Sequence, residues 1–396
     1  MMQISPEIQL FIREHSSDDV RVLALQAKKY PDIDMPTVIT QIAGRKVAAE
    51  KIPSWWEIEK IWYPKHLSLE QCSSEITARY KARLLQGDSL TDLTGGFGID
   101  CSFLATGFKS ATYVERQEEL CEIAAHNFPV LNLNHINIKN EDGVTYLQAM
   151  SPVDCLFLDP ARRNEHGGKT VAISDCEPNV AELEELLLQK ANRVMIKLSP
   201  MLDLSLGLKE LKQTQEVHIL SVNNECKELL ILLGQTSPAE ISIHCVNLFT
   251  KGTQKEQHFV FTREQEQCSE CTYTDSLETY LYEPNASLLK AGAFRSIAAA
   301  YPVRKLHPNS HLYTSDTFIE NFPGRIFRIV NQCSFNKKEV KENLADLKKA
   351  NVTVRNFPAT VAELRKRIHL AEGGDTYLFA STLNNGQKVL IRCEKV

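Results

Sequence analysis

Leu90-Thr-Asp-Leu-Thr-Gly-Gly-Phe-Gly-Ile-Asp100 runs from a short apolar segment into three glycines, and then into the amphipathic run Cys101-Ser-Phe-Leu-Ala105. The order reads as strand, glycine turn and helix, which together build a surface for a nucleotide-like ligand. Glycine suits the turn because a Cβ there would collide with a ligand or forbid a positive φ. Asp92 falls at the carboxyl end of the strand, where open α/β sheets bind their ligands. The spacing Asp-Leu-x-x-Gly-x-Gly (Asp92, Leu93, Gly96, Gly98) differs from the Gly-x-Gly-x-x-Gly that wraps a pyrophosphate.

Working outward, residues 89–234 alternate strand and helix. Ser89–Leu93, Ala111–Glu115, Ile136–Ile138, Val153–Leu158 and Arg193–Lys197 are the expected strands. The uninterrupted apolar run Val153–Leu158 suits a strand buried on both faces. Glu216–Val222 and Glu228–Leu233 then read as an antiparallel hairpin, so the whole describes a doubly wound sheet. Residues 1–88 read as helical, with Asp18 as a cap and Trp55, Trp56 and Trp62 clustered near the module's end. Those tryptophans suit an aromatic core joining this module to its neighbour, or a base-stacking surface. Beyond the sheet, Ala239–Phe249 pairs with Gln257–Thr262. Tyr280–Tyr282 leads into a helix continuing over Ser287–Ala300. Residues 323–396 read as a compact α+β unit ending in a hairpin around Asn384-Asn-Gly386. The expected domains are 1–88, 89–235, 236–322 (small, α+β, ferredoxin-like) and 323–396.

Composition is that of an ordinary globular protein. No window approaches a membrane helix, and Met1–Glu7 lacks a signal-peptide pattern. The 11 cysteines are scattered, as for reduced thiols in a cytoplasmic protein. Cys268 and Cys271 have knuckle spacing without a second ligand pair, so no metal is expected. The net charge of −5 is uneven: residues 324–396 carry 14 Lys and Arg against 7 Asp and Glu, the remainder 31 against 43. A basic terminal module on an acidic body suits docking to a polyanion, and mixed runs such as Lys337–Glu342 equally suit a solvated helix face.

Acids stand at successive strand ends. Asp92 could receive a cationic amine. Glu115 could accept from both hydroxyls of a ribose, and Asp142 from an adenine amine. Each is also a natural helix cap. In this order, Asp92-Leu-Thr-Gly-Gly-Phe-Gly98, Glu115, Asp142 and Asp159-Pro160 resemble a class I S-adenosylmethionine-dependent methyltransferase. The resemblance implies a Rossmann-like α/β sheet and S-adenosyl-L-methionine as cofactor. Asp92, Thr94, Gly95, Gly96, Gly98, Glu115 and Asp142 would hold that cofactor. Asp159 and Pro160 fall where amine-methylating relatives hold the acceptor nitrogen, so they are the expected catalytic pair. Ala161 and Arg162 replace the proline and aromatic of those relatives, and Arg162 and Arg163 could meet RNA by stacking or by pairing with phosphate. A carbon-methylating mechanism needs a thiol after the fifth strand, where Ile196-Lys-Leu-Ser-Pro200 has none; Cys176 is the nearest candidate. The tail segments Asn351–Arg355, Val361–Arg367 and Tyr377–Thr382 are similar to the THUMP-like domain that ends a bacterial group assigned to the methyltransferases. That likeness implies an RNA partner, ribosomal or transfer RNA, gripped by Arg355, Arg365, Lys366 and Arg367. A small-molecule or protein methyltransferase, or an RNA-binding protein without transfer activity, are the alternatives.

Overall fold

The short apolar runs and capped helices expected above form a mixed α/β molecule with three sheets among the described residues. The computed structural model describes residues 4–162 and 172–396. The chain divides into two units, one of residues 1–216 and 228–238, the other of 217–227 and 239–396. Among the described residues no helix is long and apolar enough to cross a membrane.

In the first unit the strands are β1 (Ser89–Asp92), β2 (Ser110–Glu115), β3 (Ile136–Asn140), β4 (Val153–Leu158) and β5 (Ala191–Leu198). Strand β6 (Thr214–Val222) begins here, and most of β7 (Glu225–Gly234) belongs to this unit. The order is β3-β2-β1-β4-β5-β7, parallel throughout except for β7, which runs antiparallel to β5. Asp154 fixes the β1 register from the neighbouring strand: its Oδ2 accepts from the Asp88 and Ser89 amides at 2.8 and 2.9 Å. The helices of residues 1–88 pack on the glycine-turn face through Trp55, Ile61, Tyr63, Phe97 and Ile99.

In the second unit β8 (Ser242–Leu248) and β9 (Glu256–Thr262) form the expected hairpin. A seven-stranded sheet follows, built from β10 (Tyr280–Pro284), β11 (Arg304–Lys305), β12 (Tyr313–Ser315), β13 (Gly324–Ser334), β14 (Asn351–Val354), β15 (Thr376–Thr382) and β16 (Lys388–Lys395). Its order is β11-β12-β10-β13-β16-β15-β14, so segments on both sides of residue 323 share one sheet. Only β14 and β15 pair in parallel among its named ladders. Leu344, Leu364, Leu378 and Leu390 form the core beneath the helices Lys337–Leu344 and Val361–Ile368.

Two local expectations are corrected. The helix Val20–Leu25 is capped by Asp19, not Asp18, because Asp19 has the extended backbone of a cap and accepts from the Arg21 amide at 2.8 Å. Asp18 instead pairs with His15. The single helix expected over Ser287–Ala300 is two. Gly292 stops the first at φ +77°, and Glu266 accepts the amides of Phe294, Arg295 and Ser296 to start the second.

Candidate active site

The glycine turn lies at the carboxyl end of β1, where Gly98 caps the helix Ile99–Ala105 in a left-handed conformation (φ +87°) and Gly96 has φ +53°. The reason for glycine differs along the turn. A Cβ on Gly95 would lie 2.2 Å from the Tyr113 ring, and one on Gly98 would press Phe128 at 3.1 Å. Gly95 is therefore small because of the core beneath it, Gly98 because of that core and its left-handed angle, and Gly96 because of its backbone angle. The Tyr113 hydroxyl donates to the Gly96 carbonyl at 2.5 Å, pinning the turn from below.

Asp92 and Glu115 meet at this turn, and Asp142 caps a helix of its own. Asp92 is 1 % exposed; its Oδ1 accepts from the Thr94 amide at 3.0 Å, while Oδ2 is buried and has no partner among the described residues. Burial pushes the Asp92 carboxyl well above the ordinary range, outweighing the Thr94 hydrogen bond. Glu115, at the end of β2, accepts from the Gly96 amide through Oε2 (2.9 Å) and from the Gln117 amide through Oε1 (2.8 Å). Asp142 caps the helix Gly143–Ala149, its Oδ1 accepting from Val144 and Thr145, so that oxygen serves the cap anticipated as its bland role. Thr94 joins the turn to the next strand: its hydroxyl accepts from the Asp159 amide at 2.6 Å.

Asp159 follows β4 with its side chain 36 % exposed, ion-paired to Lys197 of β5. Lys197 also approaches Asp100 Oδ2 at 3.7 Å. Behind it Lys81, fully enclosed, contacts Asp100 Oδ1 (2.9 Å), Glu228 Oε2 (2.6 Å) and the Ser73 hydroxyl (2.8 Å). Burial alone would raise the Asp100 carboxyl, but Lys81 and Lys197 outweigh it and hold it below the ordinary range. Burial likewise raises Asp159, with Lys197 opposing. Lys197 is raised and stays an ammonium, because Asp159 and Asp100 outweigh its burial. Three carboxyl groups and two lysine amines thus share one cluster, and Asp159 is its most exposed member.

Lys81, Asp100 and Lys197 are charged partners that the motif spacing does not single out. A signal was present all the same: a lysine inside the run Val194-Met-Ile-Lys-Leu198 is rarely buried unless paired. Trp55 is buried edge-on to Phe97, Trp62 stacks on His126 at 3.8 Å, and Trp56 is 42 % exposed. One of the three tryptophans is therefore core, and Trp62 packs half-buried against it. Arg162 lies in a short ladder opposite Cys176, and Arg163 lies outside the described residues. Cys176 is buried.

The expected basic contacts divide. Lys366 and Arg367 are exposed at the end of the helix Val361–Ile368. Arg355 donates to the buried Glu283 at 3.1 Å, alongside Arg325, and Arg365 is 17 % exposed beside Glu372. Arg355 thus shares an internal acid with Arg325 while its side chain stays 37 % exposed.

Residues 280–323 match a ferredoxin-like domain model, and residues 324–395 match a THUMP domain-like model. No curated protein matches the chain. A crystal structure named as a "putative methyltransferase from Porphyromonas gingivalis W83" is similar over 98 % of each chain, at 35 % identity and TM-score 0.88. A modification subunit of a type I restriction enzyme from Vibrio vulnificus YJ016 (13 % identity, 51 % of this chain and 56 % of that one, TM-score 0.35) is too distant to carry any argument. At 35 % identity over nearly its whole length, the chain belongs to the family of the Porphyromonas protein, a methyltransferase family ending in a THUMP-like domain.

Proposed function

We propose that the protein is an S-adenosylmethionine-dependent methyltransferase that modifies a base nitrogen in ribosomal or transfer RNA in the cytoplasm. The observation that carries the reading is the buried Asp92 Oδ2, without a partner among the described residues, beside a turn whose Gly96 is half-buried. An orphaned acceptor at that depth costs free energy until a donor reaches it, and a cationic amine supplies one. The residues therefore fit the cofactor. Asp92 would take its amine and Glu115 its ribose hydroxyls. Gly95, Gly96 and Gly98 with Thr94 would line its approach, and Asp142 would offer its second oxygen to the adenine amine. When bound, S-adenosylmethionine supplies an electrophilic methyl group on a sulfonium, open to displacement by an amine lone pair.

The chain's own contribution is orientation. Asp159 would accept a hydrogen bond from the acceptor amine, with Pro160 setting the direction of the backbone that follows, and such positioning lowers the barrier mainly through geometry. Lys197 keeps the Asp159 side chain in place. Arg162 and Arg163 would meet the RNA near the site, while Lys366 and Arg367 would bind phosphates. The deciding experiment incubates the protein with labelled donor and total RNA from cells lacking it, followed by nucleoside analysis. Label in an N-methylated nucleoside is expected; label in protein alone would overturn the RNA reading. The Lys197–Asp159 pair, which already occupies one carboxylate oxygen, favours a second reading as an RNA binder without transfer. Donor binding with no labelled acceptor would select it.

A further inference from the structure

The second unit holds a cleft of about 610 Å³, within the range of small-ligand sites, that the methyl-transfer reading does not use. Carboxamides line much of it. Asn223 and Asn224 form the two-residue turn of the β6–β7 hairpin, both at positive φ (50° and 68°), which asparagine tolerates. Asn247 on β8 and Gln257 on β9 stand opposite each other, and Asn285 caps the helix Ala286–Ala291. Backbone partners fix which way each amide points. Asn224 Oδ1 accepts from the Ala286 amide at 2.8 Å, Asn247 Oδ1 from the Asn224 amide at 2.8 Å, and Asn285 Oδ1 from the Leu288 amide at 3.2 Å. Gln257 Nε2 donates to the Gly324 carbonyl at 3.0 Å, so its Oε1 turns to the side-chain nitrogens of Asn285 (3.2 Å) and Asn247 (3.4 Å). Each of these four side-chain oxygens is thereby engaged. The Asn224 Nδ2, by contrast, has no hydrogen-bond partner among the described residues, so that amide offers the cleft its N–H groups.

An aromatic wall completes the cleft. Phe318 lines it while 44 % exposed, its ring centroid 5.6 Å from that of Tyr280. The flanking charges are of both signs, Arg325 and Lys395 against Glu320, so recognition rests on shape and hydrogen bonds more than on net charge. We propose that this cleft takes one unpaired base of an RNA strand, stacked on Phe318, and prefers guanine. Unpaired bases are recognised by stacking on aromatic side chains and by hydrogen bonds to their edges. Guanine presents two neighbouring acceptors, O6 and N7, to the N–H groups of Asn224, whereas adenine carries a donor amine in place of O6. The inference deepens the RNA reading, and rests on it for the strand that carries the base.

The test titrates the full chain into two fluorescent RNA hexamers, hexa-adenylate and the same strand with one central guanosine, and reads affinity by anisotropy. The guanosine strand should bind about fivefold tighter or better, the low end of discrimination by a good base contact. Free GMP should compete with it. Phe318→Ala, at an exposed position and so expected to fold, should weaken the guanosine strand by about fivefold or more, as for the loss of one stacked base. Asn224→Asp keeps the accepting oxygen but removes the N–H groups, and should erase the preference for guanosine. Equal affinity for the two strands, or unaltered binding in Phe318→Ala, would overturn the site. GMP that binds the wild type but not Phe318→Ala, with no competition from the strand, would assign the cleft to a free nucleotide and overturn the RNA source. Methyl label entering RNA without the guanosine preference would remove this site and spare the transfer reading; the preference without label would do the reverse.

Discussion

The two units bury charge to different depths. In the first, Lys81, Asp100 and Glu228 are enclosed, with side-chain exposures of 0, 10 and 7 %, and the chain of charges emerges only at Asp159. In the second, Glu283 is equally buried, but its partners Arg325 and Arg355 remain 33 and 37 % exposed. The contrast separates two consequences of desolvation. Where every member is enclosed, removing one charge strands the others in a medium that cannot solvate them. Where the partners reach solvent, water takes over part of the missing interaction.

The largest expected effect breaks that contrast directly. Lys81→Met should destabilise the first unit by about 3–5 kcal/mol, the usual cost of an uncompensated buried charge. Glu283→Gln should cost the second unit only about 1–3 kcal/mol, since its guanidinium partners can turn to water. Denaturant unfolding monitored by circular dichroism measures both, and equal losses would remove the distinction.

Next in size is the donor site. Asp92→Ala should weaken S-adenosylhomocysteine binding by about 1.5–3 kcal/mol, the worth of a hydrogen bond to a charged group, or roughly 10- to 150-fold. Calorimetry gives the affinity directly, and an unchanged value would mean that Asp92 is merely a core acid.

A pH test sharpens the same point. In the free protein burial raises the Asp92 carboxyl, so it holds a proton above the ordinary carboxylate range. A cationic ligand amine favours the ionised form, so binding releases that proton below the raised pKa. Affinity should therefore rise with pH through that window, by up to about tenfold per pH unit, and level off above it. Calorimetry in buffers of different ionisation enthalpy reads the proton release, which Asp92→Asn should abolish.

The smallest effect lies in the second unit. Lys366→Ala with Arg367→Ala should weaken RNA binding across sequences and lower the slope of affinity against salt by about 1 for each phosphate that is no longer neutralised. Arg355→Ala should lower that slope less, because one of its guanidinium nitrogens is already bonded to Glu283.

Much of the fold was legible because its signals are local. The strand ends, the hairpins at Ser242–Thr262 and Thr376–Lys395, and the glycine turn are set by apolar runs and by backbone angles that few residues adopt. The break at Gly292 was legible in part, since glycine stands there, but the helix restart depends on Glu266, 30 residues away from Ser296. Site acids were found because strand ends are predictable. Their protonation was not, because it depends on which cation stands opposite. Arg355 and Lys366 look alike in sequence, yet one faces Glu283 and the other faces solvent.

By itself, the amino-acid order determined where the chain turns, which segments extend or coil, and that acids crowd the ends of neighbouring strands. Only the tertiary structure decided that Lys81 meets Glu228 across 147 positions, that Asp92 keeps an oxygen without a partner among the described residues, and that Asn224, Asn247 and Gln257 line one cleft. The physical reason is range. Backbone preference acts over a few residues, whereas desolvation and charge pairing depend on strand register and burial, which exist only once the sheet has closed.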